Sequence, residues 1–141
     1  MARAVDVVRA LLRAALIGVA VGIVARVLMR VVALLEGSDL GFDPGASVMI
    51  VGLFAVASVG ACAGAMLFKR SRILGVIVTV VTAVPLWLPG SSIAIVEVME
   101  HATGPAVEAL GVVAVALLIG GCMVAAPVLG NRIGRRHTFS R

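Results

Sequence analysis

The chain has 141 residues, of which 62% are hydrophobic and 13% charged, and its formal net charge is +5. Soluble domains carry about 45–50% apolar and about 25% charged residues, and disordered chains combine low hydrophobicity with high net charge, so this composition excludes both classes. We therefore expect one transmembrane domain over residues 1–141, with the lipid bilayer as its surroundings.

The basic residues fall in groups along the chain. Ten of the twelve lie before the first apolar run, between the second and third apolar runs, or after the fourth. The connections between the first and second runs and between the third and fourth runs contain no Lys or Arg. This alternation predicts an all-α, antiparallel four-helix bundle with both termini in the cytoplasm, and it explains the positive charge without a nucleic-acid partner. The ten residues are Arg3, Arg9, Arg13, Lys69, Arg70, Arg72, Arg132, Arg135, Arg136 and Arg141.

The first predicted span covers residues 14–35, or roughly 33 Å of helix, which is enough to cross a hydrocarbon core of about 30 Å. Its start resembles a signal peptide, but three more apolar runs follow, so we expect the span to remain uncleaved.

A single Lys, no Tyr and abundant Ala, Val, Gly and Arg are typical of GC-rich coding sequence. The predicted location is therefore a bacterial cytoplasmic membrane.

Two arginines lie inside this first span and are not explained by topology. Ala14, Gly18, Gly22, Arg26 and Arg30 are spaced by four and form one stripe on the helix. Gly18 and Gly22 form a GxxxG pair, which allows close helix approach. We therefore expect both arginines to face a neighbouring helix or a polar cavity, with Arg26 roughly 18 Å into the membrane.

Three hypotheses remain open for the two arginines. They form an ion pair that holds span one against spans three and four, they build a site for a substrate, anion or lipid headgroup, or they reach outward to water. We favour the ion pair. The candidate partners are Glu97, Glu100 and Glu108, with Asp43 and Glu36 less central.

The run Ala25-Arg26-Val27-Leu28-Met29-Arg30 follows a Gly-rich apolar stretch. It resembles a pattern in small uncharacterised four-span membrane proteins of actinobacteria and related bacteria. The resemblance implies the four-span plan and adds no activity or functional residue.

The second span is predicted over residues 45–68, and the third begins at residue 73. Because the turn between them is very short, the two spans should be adjacent and antiparallel. Gly60 and Gly64 form a second GxxxG pair in span two, which predicts another close helix contact.

The third span, over residues 73–96, is predicted to be broken by Pro85 and Pro89, because each removes a backbone donor. A short helix at the outer interface should follow. Glu97, Glu100 and His101 would share one of its faces, but they lack the Glu-x-x-His spacing of di-metal bundles, so we predict no metal and no cofactor.

The fourth span is predicted over residues 105–129, followed by a basic cytoplasmic tail at 130–141. Gly120 and Gly121 provide small residues in this span, for packing within the bundle or against another protein. Cys62 and Cys122 fall inside apolar runs without metal or redox spacing, so we interpret both as small hydrophobic residues.

No nucleophile, metallohydrolase or nucleotide-binding motif occurs in the sequence, so we predict that the protein is not an enzyme. The favoured function is a non-enzymatic accessory or interaction subunit. The small-residue faces suit either a homo-oligomer or a contact with another membrane protein, and the sequence does not separate the two. The alternative is a small transporter or channel that uses the intramembrane arginines and the outer acidic cluster.

Overall fold

The structure describes residues 2–35, 44–68, 71–101 and 106–139, and this part of the chain forms four α-helices. Side chains are described mainly within residues 4–34, 44–68, 71–87 and 113–136. In this computed structural model the helices are α1 (Ala2–Leu35), α2 (Pro44–Leu67), α3 (Arg72–His101) and α4 (Ala106–Phe139). Pro44 stands at the first position of α2, where a missing N–H costs no helical hydrogen bond. The chain is thus all-helical, as predicted.

Three of the helices are long and apolar enough to cross a membrane. The qualifying segments are Ala4–Val31 in α1, Pro44–Leu67 in α2 and Ala116–Arg136 in α4, and the part of α3 with described side chains contributes the shorter apolar segment Arg72–Trp87. In lipid, every backbone polar group must find a partner within the protein, and a helix satisfies this requirement by itself. These segments indicate a helical membrane protein.

The helices pack as a bundle in which α2 touches all three others. Among the described residues α1 also packs on α4 and α3 on α4, while α1 and α3 do not meet, so α2 and α4 form the short diagonal of the bundle. Helix α2 runs antiparallel to α1 and α3 and parallel to α4. The contacts that set these directions are Gly18 with Ser58, Gly22 with Val51, Gly60 with Thr82, Gly64 with Gly75, Gly130 with Ser58 and Gly134 with Cys62.

Small side chains fill the interior and large ones cover the outside. Phe54 is the largest fully buried side chain, whereas Leu16, Val48 and Leu117 are each about 70% exposed. Burial of large apolar side chains drives folding in water, but lipid removes that driving force and favours close backbone approach through small residues. Seven of the buried hydrophobic residues are alanines: Ala10, Ala14, Ala25, Ala57, Ala61, Ala65 and Ala126.

Helix α3 differs from the prediction, because its backbone stays helical through Pro85 and Pro89 to His101. A proline inside a helix costs about 3 kcal/mol. Ending a helix within a bilayer would instead leave several backbone groups without partners, at several kcal/mol each. The continuous helix is the arrangement that a bilayer would favour, and the predicted break and the separate interfacial helix are corrected to one element.

Helix α4 also extends further than predicted. The residues expected to form a basic tail continue the helix to Phe139, with Pro127 inside it. Gly130 and Gly134 of this segment pack against α2, so the last turns of α4 belong to the bundle. Each predicted span otherwise falls on one helix.

Candidate functional site

The stripe of small residues on α1 faces α2. A Cβ atom added to Gly18 would lie 2.6 Å from the carbonyl oxygen of Phe54 and 2.7 Å from the Cα atom of Ala55, and one added to Gly22 would lie 2.9 Å from the Cα atom of Val51. Both distances at Gly18 are shorter than real Cβ contacts. The backbones of α1 and α2 therefore touch along this stripe.

Arg26 continues the stripe and donates a hydrogen bond to α2. Its Nε atom lies 2.9 Å from the Oγ atom of Ser47, and the contact is partly buried. Ser47 stands in the first turn of α2, only about 5 Å along the helix axis from Pro44. Arg26 is thus level with an end of α2. Helix α1 begins at Ala2, twelve residues before the predicted span, and the depth of Arg26 in the membrane stays a prediction.

The predicted acidic partners are only partly described. Arg30 is half-buried one turn beyond Arg26. Glu97, Glu100 and His101 close α3 and Glu108 opens α4, so the topology brings them to the bundle end that carries Ser47. Their side chains lie outside the described residues, as do Glu36 and Asp43 altogether. The ion pair therefore stays a prediction.

Ser47 is the partner that sequence reasoning missed. Its only sequence signal is a hydroxyl near the start of an apolar span, which is common. The register between α1 and α2 pairs it with Arg26, and the close contacts at Gly18 and Gly22 mark that register.

Gly60 and Gly64 of α2 receive threonine side chains from α3. A Cβ atom at Gly60 would collide with Thr82, and one at Gly64 with Thr79 and with the Gly75 carbonyl oxygen. The Thr79 hydroxyl donates to the Gly75 carbonyl at 2.9 Å, and the Thr82 hydroxyl donates to the Val78 carbonyl at 2.8 Å. Both hydroxyls thus bond within their own helix.

The contact between α2 and α4 centres on Ser58. Its side chain is fully buried, and a Cβ atom at Gly130 would collide with its carbonyl oxygen. One turn on, a Cβ atom at Gly134 would lie 2.5 Å from the carbonyl oxygen of Cys62. This Gly130–Gly134 pair was hidden in the predicted tail.

Gly120 and Gly121 behave differently from Gly130 and Gly134. A Cβ atom at either position would meet nothing within 4 Å, and the same holds for Gly52 on α2. A side chain added at Gly120 would therefore extend into open space among the described residues, and the role of Gly120 in helix packing stays a prediction. Gly52 and Gly121 are exposed on the outside of their helices, whereas Gly120 is half-buried.

Described basic residues other than Arg26 and Arg30 lie at the opposite end of the bundle, where α1 and α3 begin and α2 and α4 end: Arg9, Arg13, Arg72, Arg132, Arg135 and Arg136. Two grooves open there on either side of α4. The larger, of about 570 Å³, is lined by Arg72 and Arg135 together with residues of α2 and α3. The smaller, of about 390 Å³, lies between α1 and α4 and is lined by Arg13 and Arg136.

Chemical groups suited to catalysis or metal binding are scarce within the described residues. They contain no cluster of three or more His, Cys, Asp or Glu side chains that could hold a metal ion. Cys62 and Cys122 are free thiols, and the Cys62 sulfur approaches the Ala10 carbonyl oxygen at 3.9 Å. The contact ties α1 to α2.

No protein-family model matches the chain, and neither a curated protein nor a solved structure shows significant similarity to it. The resemblance of residues 25–30 to small actinobacterial membrane proteins therefore stays a hypothesis.

Proposed function

We propose that the protein spans a bacterial cytoplasmic membrane four times, with both termini in the cytoplasm, and acts without catalysis as an accessory or interaction subunit. The observation that carries this proposal is the interior of small residues in the described part of the bundle. Ser58 is the only buried polar residue in the described part of the bundle, and backbones touch at Gly18 and Gly130. Chemistry is therefore left to the outer surface.

A transporter would need polar groups along its length to replace water around a solute. The described interior instead holds two apolar clusters, one around Phe54 and one around Cys62. Arg26, the most suggestive residue for transport, is engaged with Ser47 near one end. These features favour the interaction role over the transport role.

The outer face of α4 offers a surface for a partner helix. Leu117 and Leu118 are exposed there, and Gly121 leaves open space between α4 and its surroundings. In lipid, an outward glycine allows a second helix to approach its backbone closely. We place the partner contact on this face.

The test is mild solubilisation from native membranes followed by mass spectrometry. A stoichiometric foreign membrane protein supports the proposal, whereas a homogeneous homo-oligomer contradicts it and favours transport. Gly121→Leu should release the partner at an unchanged melting temperature. Gly52→Leu, the same change on an outward glycine of α2, should retain it. If both variants keep the partner, the α4 face is the wrong surface.

A further inference from the structure

We propose that the larger groove at the basic end, between α3 and α4, binds one anionic phospholipid. The phosphate would lie between Arg72 and Arg135, and an acyl chain would follow the outer side of α3. This inference rests on the proposed membrane insertion of the bundle but not on its interaction role.

The groove lies where α3 packs closely against α2 and less closely against α4. Gly64 and Gly75 bring α2 and α3 together at its floor, where a Cβ atom on either would lie 2.7 Å from the carbonyl oxygen of the other. Among the described residues, α3 and α4 pack less extensively than the other neighbouring pairs. The resulting space of about 570 Å³ falls in the usual range of ligand sites, about 300–1,000 Å³.

The charged side chains at the groove have one sign. Arg72 comes from α3 and Arg135 from α4, and no Asp or Glu is among the residues that line the groove. Asn131 accepts a hydrogen bond from the Nε atom of Arg135 at 3.1 Å, which restrains the guanidinium group. Arginine presents paired N–H donors that match phosphate oxygens, so the groove suits a phosphate-bearing anion.

The remaining wall indicates a lipid rather than a free phosphate. Val76 and Phe68 line the groove, and each is more than 40% exposed on the outer surface of the bundle. A free phosphate makes no favourable contact with these apolar side chains, whereas an acyl chain packs against them. A basic pocket between membrane helices at the cytoplasmic side is also where anionic headgroups concentrate.

The experiment reconstitutes the purified protein in nanodiscs of equal phosphatidylglycerol and phosphatidylcholine and counts retained lipids by native mass spectrometry. Wild type should retain phosphatidylglycerol preferentially. The double variant Arg72→Gln/Arg135→Gln should weaken that retention about 25-fold, since each arginine near the surface contributes about fivefold. The matched control Arg9→Gln/Arg132→Gln removes two exposed arginines that line neither groove, and should retain the lipid.

A second variant keeps both arginines and blocks the space. Val76→Trp should fill the groove and lower phosphatidylglycerol retention, which decides the matter if the double variant fails to fold. Unchanged retention in the folded double variant, or equal loss in the control, would overturn the proposal. So would glycerol phosphate competing as strongly as the lipid, because the site would then recognise phosphate alone. Loss of a protein partner would leave these results unaffected.

Discussion

Gly18 sets the distance between α1 and α2, because its missing side chain lets two backbones touch. The nearest atoms to its virtual Cβ are backbone atoms of Phe54 and Ala55, which cannot rotate away as a flexible side chain could. Even one added methyl group must therefore separate the helices.

We expect Gly18→Ala to lower the free energy of unfolding by about 1–3 kcal/mol, the usual cost of overpacking. The matched change Gly52→Ala meets nothing within 4 Å and should raise it by up to about 1 kcal/mol through helix propensity. Denaturant unfolding in mild detergent measures both. Equal effects at the two sites would mean that α1 and α2 are not in backbone contact.

Ser58 is the residue whose burial needs explanation. Its side chain is fully buried and its Oγ atom has no hydrogen-bond partner in the structure. The small side chain fits between Gly18 and Gly130, so size rather than polarity explains its place in the core.

Ser58→Ala should therefore raise the free energy of unfolding by about 1 kcal/mol, since it removes an unpaired buried hydroxyl and keeps the Cβ atom. Ser58→Val adds methyl groups in the same space and should lower it. Thermal unfolding of both variants in the same detergent checks the sign, and a destabilised Ser58→Ala would show that the hydroxyl is needed.

The hydrogen bond between Arg26 and Ser47 should be measurable as a coupling energy. A double-mutant cycle with Arg26→Gln and Ser47→Ala should give about 0.5–1.5 kcal/mol, as for other hydrogen bonds between helices. A second cycle that combines Arg26→Gln with Thr79→Ala should be additive, because Thr79 bonds within α3. Additivity in both cycles would argue against the contact.

Helix α4 shows how one element can combine two kinds of surface. Its last turns place Gly130 and Gly134 against the backbone of α2, while a Cβ atom at Gly120 or Gly121, earlier in the helix, would meet nothing within 4 Å. Both pairs look alike in a sequence of small and apolar residues. Only the packing of α4 along α2 separates an internal contact from an outer surface.

We expect the double variant Gly130→Ala/Gly134→Ala to lower the melting temperature by several degrees, because two backbone contacts must open. Gly120→Ala/Gly121→Ala adds the same two methyl groups and should leave it equal or higher. Circular dichroism during heating distinguishes the two. If residues 130–141 were a solvated tail, neither double variant would be destabilised.

Helix α3 shows the limit of local rules. Pro85 and Pro89 predict an interrupted helix when only the free-energy cost of a proline inside a helix is considered. The backbone is nevertheless continuous to His101, as expected for the membrane insertion that we propose, because unpaired backbone groups in a bilayer cost more than a proline in a helix. That comparison requires knowing the surroundings of the segment, which propensity alone does not include.

At the scale of the whole molecule, the up-down order of four helices places the described residues Arg13, Arg72 and Arg135 at one end. Helices α1 and α3 begin there and α2 and α4 end there, while Arg26 and Ser47 lie toward the other end. The alternation of basic and non-basic connections in the sequence thus corresponds to a difference in positive charge between the two ends of the bundle.

This difference predicts the orientation in the membrane. A fluorescent protein fused after Arg141 should fluoresce, and alkaline phosphatase at the same place should be inactive, because the basic end stays in the cytoplasm. Alkaline phosphatase inserted within residues 102–105 should be active. The opposite pattern would show that the basic end is exported and would contradict the proposed topology.

The sequence by itself determined the class of the molecule: hydrophobic runs predict helices through their length, and the spacing of Gly18, Gly22 and Arg26 predicts a shared face. Only the tertiary structure decided which helix that face meets, that Ser47 pairs with Arg26, and that Gly130 packs inside while Gly120 does not. The physical reason is that sequence periodicity fixes the direction of each side chain around its own helix axis. Which residues a side chain contacts depends instead on the position of one helix along the axis of another. In lipid that position is set by backbone contacts at small residues, which many positions of this chain could have supplied.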